Sequence, residues 1–223
     1  GVAPLLGRWK YRRLVSARKS DPGALTRFYR LSLLTGWSWV VIVLVVPAVS
    51  PRGRAGDLGL AWPSGSGAVW AIAATIALLV LFGATAIAIR RYVQSGKPLP
   101  GQARFAALVP ETTAERRVAA VVTLTAGISE ELLCRGLLIA TLVGVFGLSV
   151  LPAAVVAVVM FGLAHLYQGA TGVLGTAIVG AILTALYLGS GSLLLPIPVH
   201  IVLDARSLLL TRVPRAPPVA GEA

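Results

Sequence analysis

Three short motifs in the second half of the chain hold both histidines and three of the eight carboxylate side chains. Glu130 and Glu131 are adjacent, with Arg135 four residues on; His165 follows Phe161 by four; His200 precedes Asp204 by four. Between positions 118 and 203 the only charged side chains are Glu130, Glu131 and Arg135, and both histidines of the protein lie in the same stretch. Each such charge costs about 3 kcal/mol to insert at mid-membrane. Ionisable groups kept at that depth mark functional sites.

Helical spacing divides the labour among them. Glu131 and Arg135 are i, i+4 neighbours and pair. Glu130 is rotated about 100° from Glu131, so this pairing leaves it un-neutralised. One carboxylate therefore reads as structural and the other as an available base. A lone histidine on an apolar face is commonly a hydrogen-bonded packing residue. Beside an un-neutralised glutamate, His165 becomes a candidate for proton transfer or metal ligation. Pro196 and Pro198 suit a helix start and leave the turn after them intact. Asp204 then either orients or charge-pairs His200, or both point at a common reactant. Glu130, His165, His200 and Asp204 come from three separate helices, which suits a site inside a bundle.

The elements that must position these groups are apolar spans. The 223 residues are 57% hydrophobic and 13% charged, with mean hydropathy +0.84. Soluble domains carry about 25% charged residues. The fold class is all-α, a polytopic transmembrane helix bundle with an intramembrane site. Uncharged runs at 31–49 and 68–89 precede segments at 118–146, 150–166, 172–188 and 193–210. That makes six crossings, or seven or eight if 118–146 divides. Four sections follow: a basic cytoplasmic segment 1–30, two spans with a basic cytoplasmic loop 31–117, a bundle 118–211 that carries the three motifs, and a flexible tail 212–223.

Charge supports the six-crossing arrangement. The net charge of +12 does not read as nucleic-acid binding, because eight of the twenty Lys/Arg precede the first span and most others lie between spans. Cytoplasmic loops carry this excess. Six crossings place the N-terminus, the basic loop and Arg212/Arg215 on one side. Segment 1–30 reads as a solvated tail touching anionic lipid. The 50–67 loop, with Arg52, Arg54 and Asp57, offers no core. Lys97, Pro98, Pro100 and Arg104 belong to the basic loop, and Thr112 to Glu115 suits the start of the next helix. No cleavable signal peptide is evident, and the single Cys134 excludes an intramolecular disulfide.

Taken in order, Glu130-Glu131-x-x-x-Arg135, Phe161-x-x-x-His165 and His200-x-x-x-Asp204 resemble the CPBP family. This family of intramembrane proteases includes the CAAX prenyl proteases and the Abi-type bacteriocin-processing or immunity proteins. The run from Phe161 to Gly169, Phe-Gly-Leu-Ala-His-Leu-Tyr-Gln-Gly, is also similar, and the resemblance covers 117–210. It implies hydrolysis of a peptide bond in a membrane-associated protein or peptide. Glu130 and His165 would activate water, His200 and Asp204 would support the oxyanion, and Glu131, Arg135 and Phe161 would be supporting residues. The family more often has Asn where this chain has Asp204. Asn donates an N–H to an oxyanion, whereas ionised Asp repels it. Asp204 thus works protonated or holds His200 in a donating state, and the second is the expectation.

The family has been called a metalloprotease, and Glu130, His165 and His200 have the composition of a zinc first shell. The sequence lacks HExxH, and a glutamate-activated water is the other route. Two further classes stand beside a protease: a non-catalytic membrane scaffold or immunity protein, and a small transporter. Matching broken-helix halves, expected of many transporters, are not seen. The expected mechanism is metal-free, so cleavage should survive exhaustive chelation; stoichiometric zinc in the active protein would overturn this.

Overall fold

The computed structural model describes residues 3–49, 55–95 and 105–210. Every regular element among them is helical. In chain order these are α1 (Ala3–Ala17), α2 (Ala24–Val49), α3 (Ala68–Gln94), α4 (Thr113–Glu131), α5 (Ile139–Gly144), α6 (Val150–Ala164), α7 (Gly169–Ser190) and α8 (Pro196–Leu209). A π-helical stretch, Leu132–Leu138, joins α4 to α5. Arg52, Arg54, Lys97, Pro98, Pro100, Arg104 and the 212–223 tail with Arg212 and Arg215 lie outside the described residues.

Local chemistry sets the ends of the rods that carry the site. Thr112 caps α4: its hydroxyl accepts from the Glu115 amide at 3.1 Å, while the Glu115 carboxylate accepts from the Thr112 amide at 3.1 Å. This reciprocal bond satisfies two otherwise orphaned donors. Gly191 ends α7 with φ +64°, a backbone region that favours glycine. Its amide donates to Tyr187 O at 2.7 Å. Pro196 opens α8, where a missing amide hydrogen costs nothing.

Leaving α1 aside and counting α4, the π turn and α5 as one, six rods alternate in direction among the described residues. At one end of the bundle, the loop between α2 and α3 meets the α7–α8 joint. There Ser64 N donates to Ser190 O and Leu193 N to Gly59 O, both at 2.9 Å. At the other end, Arg116 Nη1 donates to Leu209 O at 2.8 Å, joining the start of α4 to the end of α8. Three helices are long and apolar enough to cross a membrane, Ala24–Val46, Ala68–Gln94 and Leu166–Ser190; Val150–Ala164 is a shorter apolar helix. The rods expose large apolar side chains outward, among them Val80, Leu151 and Leu174. Such a surface suits lipid contact. The site-bearing α8 has only 14 residues, about 21 Å at 1.5 Å per residue.

Two expectations require correction. Segment 1–30 is not simply a solvated tail: α1 and the start of α2 fold onto the bundle. Leu14, Leu25 and Tyr29 are buried with Ala119 of α4. Arg18 donates to Ala107 O and Val109 O, both at 2.9 Å, fastening the end of α1. The inward face Gly7–Tyr11–Leu14 has i, i+4, i+7 spacing, but only these few residues interrupt a strongly basic run. The 50–67 loop does contribute core: Leu58 is buried against the π turn, packed with Leu132 and Ile139. One leucine in a Pro/Ser/Gly-rich stretch gives no periodic signal, so its burial depends on the tertiary fold.

Close approach of α4 and α8 sets the geometry of the site. A Cβ on Gly127 would lie 2.4 Å from Ile201 Cγ1 and 3.2 Å from the Ile201 amide nitrogen. Only glycine allows this contact, one residue from His200 and three from Glu130. Gly127→Val is therefore expected to cost about 1–3 kcal/mol by overpacking. Thermal unfolding in detergent measures it, and an unchanged midpoint would show that the helices part freely.

Candidate active site

The α4 terminus presents its two carboxylates to different environments. Glu131 is fully buried, whereas the Glu130 side chain retains 37% exposure. Glu131 Oε1 accepts from Arg135 Nη1 at 2.8 Å. The same oxygen lies 2.7 Å from His200 Nδ1. The pairing expected from i, i+4 spacing is present, and a second partner from α8 joins it. Glu131 Oε2 is buried without a hydrogen-bond partner among the described residues.

Arg135 is clamped in turn by α7 and α6. Its Nε donates to Thr184 Oγ1 at 3.2 Å and its Nη2 to Gly180 O at 3.0 Å. The guanidinium carbon sits 4.3 Å from the centroid of the Phe161 ring. Stacking on an aromatic face suits a desolvated cation. Gly180 makes room for this, since a Cβ there would lie 2.9 Å from Phe161 Cδ1. The π-helical stretch holding Arg135 was not anticipated from sequence. π-helical turns are rare and frequently occur at functional sites.

Phe161 also ties the two histidines together. Its ring lies 5.1 Å from the His165 ring and 5.8 Å from the His200 ring, the latter edge-on at 87°. His165 caps the end of α6, and its Nδ1 is 2.9 Å from Phe161 O. A carbonyl oxygen only accepts, so Nδ1 carries the hydrogen and a neutral ring keeps its lone pair on Nε2.

Of the roles open to Asp204, the contact with His200 is at ion-pair rather than hydrogen-bond distance. The close contact of His200 is Glu131, not Asp204: Asp204 Oδ2 is 3.6 Å from Nε2 and Glu130 Oε2 is 3.9 Å away, both beyond a direct hydrogen bond. Asp204 therefore faces the far side of the ring without fixing it. The Glu131–His200 bond was missed because it links residues 69 apart in sequence.

Glu130, His165, His200 and Asp204 open onto one cavity of about 780 Å³. Lys10 and Tyr11 of α1 also line it, as does Cys134. Tyr11 and Tyr167 have ring centroids 5.5 Å apart, and Tyr167 lies 5.8 Å from His165. Burial raises the Tyr11 phenol above its ordinary pKa, with a hydrogen bond to the Ala107 backbone acting in the opposite sense. The α1 contribution escaped sequence reasoning; the i, i+4, i+7 spacing of Gly7, Tyr11 and Leu14 was its available signal. Among the described residues, no three His, Cys, Asp or Glu side chains are grouped to hold a metal ion. Glu130, His165 and His200 are thus not grouped as a first shell in the described structure.

Removing one partner from a buried ion pair leaves an uncompensated charge, costing about 3–5 kcal/mol. Arg135→Met is expected to lower the thermal midpoint accordingly, and adding Glu131→Gln should recover part of the loss. A single variant as stable as wild type would refute the clamp.

Neither curated proteins nor solved structures give a significant match to the chain. Residues 114–206 match the family described as type II CAAX prenyl endopeptidase Rce1-like. The match begins in the first turn of α4, ends three residues before the end of α8, and includes all three motifs. At family level it supports a membrane-embedded CAAX-type endopeptidase acting on a membrane-associated protein. Residues 114–206 are thus similar to the Rce1-like family of CPBP membrane proteins.

Proposed function

We propose that the chain hydrolyses a peptide bond of a membrane-associated protein or peptide in this cavity, using water activated by Glu130. The observation carrying this reading is the asymmetry of the carboxylate pair. Glu131 is occupied by Arg135 and His200, whereas Glu130 is open to the cavity. A general base needs an accessible lone pair beside the water it deprotonates.

Glu130 takes one proton from water as the oxygen attacks the substrate carbonyl carbon. His165 Nε2 accepts a hydrogen bond from the water's other O–H, which stays on the oxygen, and so orients it. The carbonyl π pair moves to oxygen, giving a tetrahedral oxyanion. His200 faces that charge through Nε2–H. With Nδ1–H directed to Glu131 and Nε2–H toward Glu130 and Asp204, an imidazolium meets acceptors on both sides. Collapse breaks the C–N bond, and Glu130 returns its proton to the leaving amine. Asp204 supports the charge on His200 from 3.6 Å.

Segment 118–211 forms the catalytic section of this reading. The basic end of the bundle faces the cytoplasm, following the positive-inside bias. A second reading has a specific basis: the Arg135–Glu131–His200 network would also lock helices together in a non-catalytic scaffold.

Glu130→Ala separates the two. It should reduce cleavage of candidate membrane substrates by at least roughly 10²-fold, with the thermal midpoint retained. Unchanged biological activity in that variant would support the scaffold. Asp204→Asn should lower cleavage if its charge sustains the His200 imidazolium; retained cleavage would instead assign Asp204 a direct oxyanion role.

A further inference from the structure

The helix α1 lies outside the family match and carries two distinct faces. Gly7, Lys10 and Tyr11 line the cavity, and Leu14 is buried. The opposite face exposes Leu5, Leu6 and Trp9, interspersed with exposed Arg8, Arg12 and Arg13. No acidic residue occurs before Asp21. An open recess of about 450 Å³ on this face is lined by Trp9, Arg12, Arg13, Ser16 and Ala17. The Arg13 guanidinium sits 4.7 Å from the Trp9 ring centroid, and neither Arg12 nor Arg13 has an acidic partner among the described residues.

We propose that this recess binds the phosphate headgroup of an anionic phospholipid, and that α1 transmits the binding to His165 through Tyr11 and Tyr167. Three observations select a bilayer as occupant. The arginines supply positive charge, Leu5, Leu6 and Trp9 supply apolar surface for the headgroup boundary, and α2 begins a membrane-length apolar helix only seven residues after α1 ends. Arginine with exposed aromatic and aliphatic residues is the composition of an interfacial helix. The inner path has two ring contacts, Tyr11–Tyr167 at 5.5 Å and Tyr167–His165 at 5.8 Å. Tyr11 is a positioning residue here, and this second part rests on His165 taking part in the proposed hydrolysis.

The test uses the full chain in phosphatidylcholine vesicles, alone or mixed with phosphatidylglycerol. The Trp9 emission is the difference between wild type and Trp9→Phe. Its quenching by chain-brominated phosphatidylglycerol should exceed that by brominated phosphatidylcholine by roughly tenfold in apparent affinity. Arg12→Gln combined with Arg13→Gln should abolish this preference while leaving cleavage in phosphatidylcholine unchanged. Equal quenching by both lipids, or a preference surviving in the double variant, overturns lipid recognition. Inorganic phosphate that competes away the quenching marks a free-anion site and overturns the bilayer reading. Anionic lipid should also raise wild-type kcat, an effect kept by Tyr11→Phe and lost in Tyr11→Leu, with quenching intact in both. Stimulation persisting in Tyr11→Leu overturns transmission through the rings. Headgroup-selective quenching without cleavage by wild type would retain the lipid site but sink the protease reading, together with transmission to its reaction.

Discussion

One buried carboxylate oxygen holds the site together. Glu131 Oε1 receives Arg135 from its own helical rod and His200 from α8. Removing these groups from water carries a desolvation cost that their attraction offsets only with good geometry and further hydrogen bonds. The remaining bonds of Arg135 recruit Gly180 and Thr184 of α7, while Phe161 of α6 covers its guanidinium. Four elements are thereby fixed relative to each other at one point. Apolar packing holds the helices together, and this polar junction selects their register.

The same junction gives the adjacent carboxylate its chemical freedom. Because Glu131 takes both Arg135 and His200 at close range, Glu130 remains at the cavity wall, with His200 Nε2 at 3.9 Å. Gly127 permits the approach of α4 to α8 that makes the junction possible. Phe161 links Arg135 to both histidines, and its backbone carbonyl fixes the His165 tautomer. The proposed base, water-orienting histidine and oxyanion partner are consequences of a single packing arrangement.

The matched segment does not build the whole cavity. Its wall is completed by α2 and by α1; the inner surface of α1 meets the segment following His165 and its outer surface is basic and apolar. Arg18 fastens the end of α1 to Ala107 and Val109 near the start of α4. The N-terminal helix thus links the cavity to the bundle surface where anionic lipid is proposed to bind.

The sequence by itself determined the helical membrane class, because long uncharged runs satisfy their backbone groups only as helices in lipid. It also exposed the Thr112–Glu115 cap and the Glu131–Arg135 pair, since both depend on local helical spacing. The three motifs announced the groups that share the cavity, including Glu130, His165, His200 and Asp204. Only the tertiary structure decided that Glu131, rather than Asp204, makes the close contact to His200. It alone placed Leu58 in the core, brought α1 over the cavity and put a π-helical stretch beside the two glutamates. Periodicity reports which face of a helix is apolar, but it does not identify which residue of a distant helix will meet a given oxygen. That choice arises when the rods pack and each buried charge must find its partner.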